Sequence, residues 1–197
     1  MNDILKDIPE KQLENKDTTS LKWKSDVIDF FKNKNLERCL ELGTNKGIST
    51  KILSSLFKNI YTIEYSQELV NIAKSFCKEC DNIQFICADA YDINTYVDLP
   101  NTYNVVVIDC VHEYNSVVND IERALKFFNI DSGMYIVFDD YGHPESTGVK
   151  MAVDYAIDSG LVVETYIGEK PGFEVERLDG TKFKLIHDEG IILSHGV

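Results

Sequence analysis

The sequence contains no apolar run approaching the roughly 18 residues that a membrane helix needs. From Met1 to Asp17 it alternates charge and lacks the apolar core of a secretion signal. These absences predict a chain that stays in the cytoplasm and meets no membrane. Basic residues are scarce as well: 20 Lys and Arg stand against 33 Asp and Glu, a formal net charge of −13. An anionic surface repels phosphate backbones, so nucleic acid is excluded as a partner. The densest basic stretch, Lys22 to Lys34, is interrupted by Asp26 and Asp29. Cys77 and Cys80 form a C-x-x-C with no second pair to complete a zinc set. A redox pair sits at the opening of a helix, whereas this one falls late in a helical stretch. With Cys39, Cys87 and Cys110 the count is odd, and reduced thiols are the reading. Repeats and low-complexity tracts are missing too.

What is present is an ordinary globular composition: 197 residues, 44% hydrophobic and 27% charged. That length suits one domain over residues 1–197, with a polar segment at 1–20 that is loosely ordered or holds a short helix. Apolar spacing predicts a helix from Leu21 to Asn33, then alternating strands and helices. The strands are Arg38 to Leu42, Asn59 to Glu64, Ile83 to Cys87, Tyr103 to Asp109 and Met134 to Phe138. The helices between and after them are Ile48 to Phe57, Gln67 to Cys80, Ser116 to Phe128 and Gly148 to Ser159. Leu161 to Ile167, Phe183 to Ile186 and Ile191 to Leu193 read as closing strands. The unbroken run Val105-Val106-Val107-Ile108 suits a strand buried on both faces. Such alternation predicts a Rossmann-like, doubly wound α/β fold: a mostly parallel sheet, helices on both faces, and an antiparallel closing hairpin. Ligands on these sheets bind beyond the carboxyl ends of the strands, so the residues just after each strand carry the information.

After the first strand comes Glu41-Leu42-Gly43-Thr44-Asn45-Lys46-Gly47. A glycine turn into a helix brings backbone N–H groups close to a ligand. The tight middle glycine of a dinucleotide turn is absent, since Asn45 stands there. Glu41 disfavours a phosphate and suits a sulfonium or ammonium group, both of which S-adenosylmethionine carries. Glu64, some 20 residues on, is placed to accept from ribose hydroxyls. Asp89, between Ala88 and Ala90, suits an adenine amino group beside close backbone. Asp109 and the Asp139-Asp140 pair end adjacent parallel strands, and three carboxylates together favour a hard divalent cation. His112 is the candidate general base, because its ordinary pKa lies near working pH. His143 is a weaker one. Each of these residues also has a structural alternative: packing turns, strand-end caps or a satisfied histidine.

Together, Glu41-x-Gly43-x-x-x-Gly47, Glu64, Asp89, Ile108-Asp109-Cys110-Val111-His112-Glu113-Tyr114 and Asp139-Asp140-Tyr141 resemble the class I S-adenosylmethionine-dependent methyltransferases. The O-methyltransferase-like subgroup is most similar, and the stretch Gly148-Val149-Lys150-x-Ala152-Val153 also looks like its macrolide-sugar members. The resemblance spans about residues 36 to 157. It implies that Gly43, Thr44, Asn45 and Gly47, with Glu41 beside them, face the methionine moiety. It further implies Glu64 on the ribose, Asp89 and Ala90 at the adenine, and Asp109 near the reacting end. Asp109, Asp139 and Asp140 match the divalent metal positions of metal-dependent members, with Mg²⁺ or a similar ion implied. Cys110 and Val111 depart from the subgroup's Gly and Asp, so one usual carboxylate is missing. The expected reaction is O-methylation of a small-molecule or sugar hydroxyl, with Asp109 and His112 as catalytic groups. Little chain precedes the first strand to form a lid, so either the acceptor is large or a second subunit of a homo-oligomer completes the site. Two rivals share the fold: a nucleotide-dependent oxidoreductase and a non-catalytic S-adenosylmethionine-binding subunit.

Overall fold

The period-2 alternation of the central strands decides the layering. In the computed structural model, which describes residues 3–6, 8, 18–126, 134–177 and 179–195, every side chain of β4 (Val105–Ile108) is buried. Val106 and Ile108 point to one face, where they meet Val117, Ile121, Val149 and Val153. Val105 and Val107 point to the other, against Trp23, Val27, Phe31 and Leu53. One strand thus supplies both cores, which is why its sequence is continuously β-branched rather than alternating.

The helices covering the first face are α5 (Tyr114–Lys126) and α6 (Thr147–Asp158). Those covering the second include α2 (Leu21–Phe31) and α3 (Ile48–Ser54). A short α1 (Asp3–Lys6) precedes them, and Leu5 and Ile8 pack on Ile28 and Ile52. Ser20 caps α2, its hydroxyl accepting from Trp23 N at 3.0 Å. α4 (Gln67–Phe76) is capped by Ser66 and stops before the C-x-x-C, four residues earlier than the apolar pattern suggested. Cys77 and Cys80 are free thiols, as are the other three cysteines. Cys87 is exposed, because its strand is the last of the sheet.

Seven strands form the main sheet in the order β3-β2-β1-β4-β5-β9-β6. They are β1 (Arg38–Leu42), β2 (Asn59–Glu64), β3 (Ile83–Cys87), β4, β5 (Tyr135–Phe138), β6 (Leu161–Ile167) and β9 (Gly190–His195). β1 to β5 run parallel. β9 inserts antiparallel between β5 and β6, so two of the three expected closing strands are part of the sheet, and the third, expected at Phe183 to Ile186, is not. A separate antiparallel hairpin, β7 (Glu174–Glu176) with β8 (Lys182–Lys184), stands outside it. Register aligns Leu42 with Ile63 and Ile108, and Ile108 with Phe138. Gly43, Glu64, Asp109 and Asp139 therefore emerge along one edge. Among the described residues, no helix is long and apolar enough to cross a membrane.

Candidate active site

That edge opens into a cleft of about 1140 Å³, above the usual range for a single small ligand and spacious enough for two. One half is built from turns after β1, β2 and β3. Gly43 has φ +100°, and a Cβ there would lie 1.8 Å from the Asp109 carbonyl oxygen, so only glycine lets the turn cross the end of β4. Asn45 takes the left-handed conformation at φ 48°, which asparagine tolerates better than most residues, so a middle glycine is dispensable. Its N–H donates to Glu64 Oε2 at 2.9 Å, and Ser66 N donates to Oε1 at 2.9 Å. Glu64 therefore holds the glycine turn while lining the cleft. Asp89 accepts from Tyr91 N at 2.8 Å and lines the cleft beside Ala90.

Three residues of the expected cofactor set do not line it: Glu41, Thr44 and Gly47. Cys39 and Glu41 alternate with Leu40 and Leu42, so the pleat turns Glu41 toward α3, away from the ligand edge. There its Oε2 accepts from Thr50 Oγ1 and from Thr62 Oγ1, each at 2.6 Å. Burial pushes this carboxyl up to about 8, opposed by those two hydroxyls. Thr44 is buried, with its hydroxyl 2.6 Å from that of Thr62. Gly47 packs on Ala73 of α4.

The other half centres on His112. Its Nδ1 lies 3.2 Å from Asp140 Oδ2, and its Nε2 lies 3.7 Å from Asp109 Oδ1. Both are electrostatic contacts; Nδ1 also lies 3.5 Å from Ser146 Oγ, and Nε2 is buried without a hydrogen-bond partner among the described residues. Asp109 foremost, and Asp140, raise the His112 pKa above its ordinary value against the opposing effect of burial. Ser146 Oγ donates to Asp140 Oδ2 at 3.2 Å, fixing that carboxylate. Asp140 has φ 56°, a strained setting for a non-glycine residue and one that clusters at functional sites. Gly148 lets α6 approach the loop holding His112, since a Cβ there would meet His112 O at 2.4 Å. His143, the weaker candidate base, packs against Phe183 with 4.2 Å between ring centres and the rings tilted by 57°, and burial foremost lowers its pKa.

The metal expectation finds no support. Asp109, Asp139 and Asp140 do adjoin, and burial together with mutual repulsion raises the pKa of Asp139 well above the carboxylate range. Yet among the described residues no group of three or more His, Cys, Asp or Glu is placed to hold a metal ion. The imidazole of His112 stands between Asp109 and Asp140, and Asp139 Oδ1 accepts from Asp140 N at 2.7 Å. The ammonium of Lys24, wholly buried, acts electrostatically on Asp139 and Glu189. The Lys24 ammonium meets part of the negative charge and the His112 ring fills the space between two of the carboxylates, so these residues as set do not fit a divalent ion.

Sequence reasoning missed the far wall of the cleft, formed by residues 18–21, Glu169, the β7–β8 hairpin and Glu189. Glu189 ties these pieces together: it accepts from Ser20 N at 2.7 Å, from Ser20 Oγ, and from Glu169 N at 2.8 Å. Lys24 Nζ donates to the Thr19 carbonyl, and Asp26 accepts from Gly168 N at 3.0 Å. The only local signal was Lys24, a charge on the apolar stripe of α2.

A family described as a methyltransferase domain matches residues 40–141. An uncharacterised protein of Acanthamoeba polyphaga mimivirus is 34% identical over 113 residues, 52% of this chain and 50% of its own. A probable ribosomal RNA small subunit methyltransferase A of Methanococcus maripaludis is 27% identical over 135 residues, 63% of this chain and 48% of its own. The chain thus spans about half the length of the curated relatives it matches. Among solved structures, an O-methyltransferase from Bacillus cereus in complex with SAH superposes with TM-score 0.65 at 17% identity, covering 97% of this chain and 87% of its own. The O-methyltransferase TomG from Streptomyces achromogenes, in complex with SAM, gives 0.62 at 19% identity, covering 87% and 78%. These likenesses show the fold.

Proposed function

The chain belongs to the methyltransferase domain family, and on that premise we propose that it methylates a hydroxyl of a small molecule with S-adenosylmethionine as donor. The observation that carries this reading is His112 at the cleft, with Nδ1 3.2 Å from Asp140 Oδ2 and Nε2 without a hydrogen-bond partner among the described residues, 3.7 Å from Asp109. When bound, S-adenosylmethionine supplies a methyl group activated by the adjacent sulfonium. The near half of the cleft fits it: the Gly43 turn admits backbone approach, Glu64 offers acceptors to ribose hydroxyls, and Asp89 with the Ala90 backbone suits adenine.

The chain's own residues then handle the proton. Asp140, 3.2 Å from Nδ1, favours the tautomer with its proton there, and the Nε2 lone pair, buried in the resting structure, is the base once the ring turns it toward the cleft. An acceptor hydroxyl hydrogen-bonded to Nε2 surrenders its proton there as its oxygen bonds to the methyl carbon. Asp109, 3.7 Å from Nε2, stabilises the imidazolium that forms. Holding acceptor and donor in line supplies much of the remaining rate. The ribosomal RNA named for the Methanococcus relatives is a poor match to a chain of net charge −13, whereas a small uncharged acceptor is not repelled. Incubation with methyl-labelled S-adenosylmethionine and a panel of hydroxyl compounds tests the reading. Label should transfer to at least one small hydroxyl compound, and transfer to RNA alone would overturn it.

A further inference from the structure

Three large apolar side chains are left partly bare in one place. Leu21 is 38% exposed, Val111 40% and Phe173 46%, and all three line the cleft. Scattered singly, exposed apolar residues need no explanation; converging in a concave site they mark the seat of an apolar ligand. Val111 adds to the point, because an apolar group stands one residue before the candidate base.

The hairpin extends this surface. Its cross-strand pairs place Glu174 opposite Lys184 and Glu176 opposite Lys182 on one face, and Val175 opposite Phe183 on the other. The charged face satisfies itself, with Lys182 Nζ 2.9 Å from Glu174 Oε1. Val175 and Phe183 are the half-buried side chains of the pair, and both line the cleft. Phe183 is also fixed relative to the catalytic loop. His143, three residues after Asp140, packs against its ring at a tilt, and the Arg177 guanidinium lies 5.4 Å from the ring centre. The distance from this aromatic seat to His112 is therefore set by the loop that carries Asp140.

We propose that the methyl acceptor is a phenol, a flat apolar ring bearing the hydroxyl, with its ring on the Phe173–Phe183 side of the cleft and its hydroxyl at His112. This rests on the methyl-transfer reading above and narrows its acceptor. Aromatic rings favour edge and offset packing on other rings, which a sugar cannot provide. Acidity points the same way. A phenol ionises near pH ~10, as tyrosine does, about three to four units from an ordinary imidazole. An aliphatic hydroxyl lies near water, at about 15.7, so its proton passes to an imidazole with far less driving force. In the balanced step the phenol oxygen bonds to the methyl carbon and the carbon–sulfur bond breaks with its electron pair left on sulfur. The hydroxyl proton passes to His112 Nε2.

The test is calorimetric titration of the whole chain, saturated with S-adenosylhomocysteine, with 2-naphthol and phenol, then with cyclohexanol and methyl glucoside. The aromatic probes should bind about tenfold more tightly than cyclohexanol, and Phe183→Leu, which stays apolar but loses the ring, should remove most of that gap. Phe173→Ala provides a second variant outside the paired strands. Equal binding of all probes, or preference for the glucoside, would overturn the phenol assignment while leaving methyl transfer intact. Failure of S-adenosylhomocysteine itself to bind would instead overturn the methyl-transfer reading, and this proposal with it.

Discussion

The two halves of the cleft are built by different means. The near half, at Gly43, Glu64 and Asp89, consists of turns directly continuous with β1, β2 and β3, and hydrogen bonds within and between neighbouring turns hold it. The far half is assembled from chain segments remote in sequence, such as Ser20 and Glu189, joined through buried charge. Sheet register alone positions the first. The second depends on side chains that must find each other after the sheet has formed. On the proposed reading the first would hold the cofactor and the second the acceptor.

The largest expected effect separates the halves chemically. His112→Ala should lower turnover by about 10²–10⁴, the range for a lost general base, while leaving S-adenosylhomocysteine affinity unchanged. Equal loss of both would show that the halves are not independent. Because the neighbouring carboxylates raise the His112 pKa, and the base must be neutral, activity should fall as pH drops through a value above 6.5. Asp140→Asn should shift that acid limb downward, and a limb that stays put would remove Asp140 from its role.

A second effect concerns the floor beneath the near half. Glu41 sits folded with a carboxyl at about 8, against about 4.3 in an unfolded chain. Between these values the native state holds a proton that the unfolded chain has released, so stability declines as pH rises from about 4 to 8. Glu41→Gln keeps an oxygen for Thr50 and Thr62 and should flatten that decline. At about 1.4 kcal/mol per pKa unit, the variant should gain on the order of a few kcal/mol relative to the parent between pH 5 and 8. Urea midpoints at the two pH values measure it, and parallel slopes would mean that Glu41 is ionised in the folded protein.

The smallest effects are expected nulls that guard the far half. Excess chelator should leave turnover unchanged, because the Lys24 ammonium meets part of the charge and the His112 ring fills the space between Asp109 and Asp140. Loss of activity restored by Mg²⁺ would reinstate a metal there. Filter binding to mixed RNA at low salt should show nothing tighter than roughly 10⁻⁴ M, and micromolar affinity with a steep salt slope would point the far wall at nucleic acid.

Much of the near half was legible in the sequence. The bounds of β1, β2 and β3 fall where the apolar runs start and stop, and Gly43, Asn45, Glu64 and Asp89 lie where strand-end reasoning puts them. Glu41 was misplaced because the motif was read as a whole; the pleat alternation through Leu40 and Leu42 would have turned it inward. β7 was not legible at all. Glu174–Glu176 is three residues with two exposed, too short for periodicity to register. Nor could the Ser20–Glu189 link be read, since nothing local marks a partner so far along the chain. Residues 127 and 128, read as the end of a helix, lie outside the described residues, as does most of the polar segment 1–20.

Calorimetry of S-adenosylhomocysteine binding to the parent chain and to Glu64→Ala tests the central claim most directly. The parent should bind in a single class of site, and the variant should bind more weakly by about 1–3 kcal/mol, the consequence of leaving hydroxyl partners unpaired. No heat at millimolar ligand, or affinity untouched by loss of Glu64, would contradict the account.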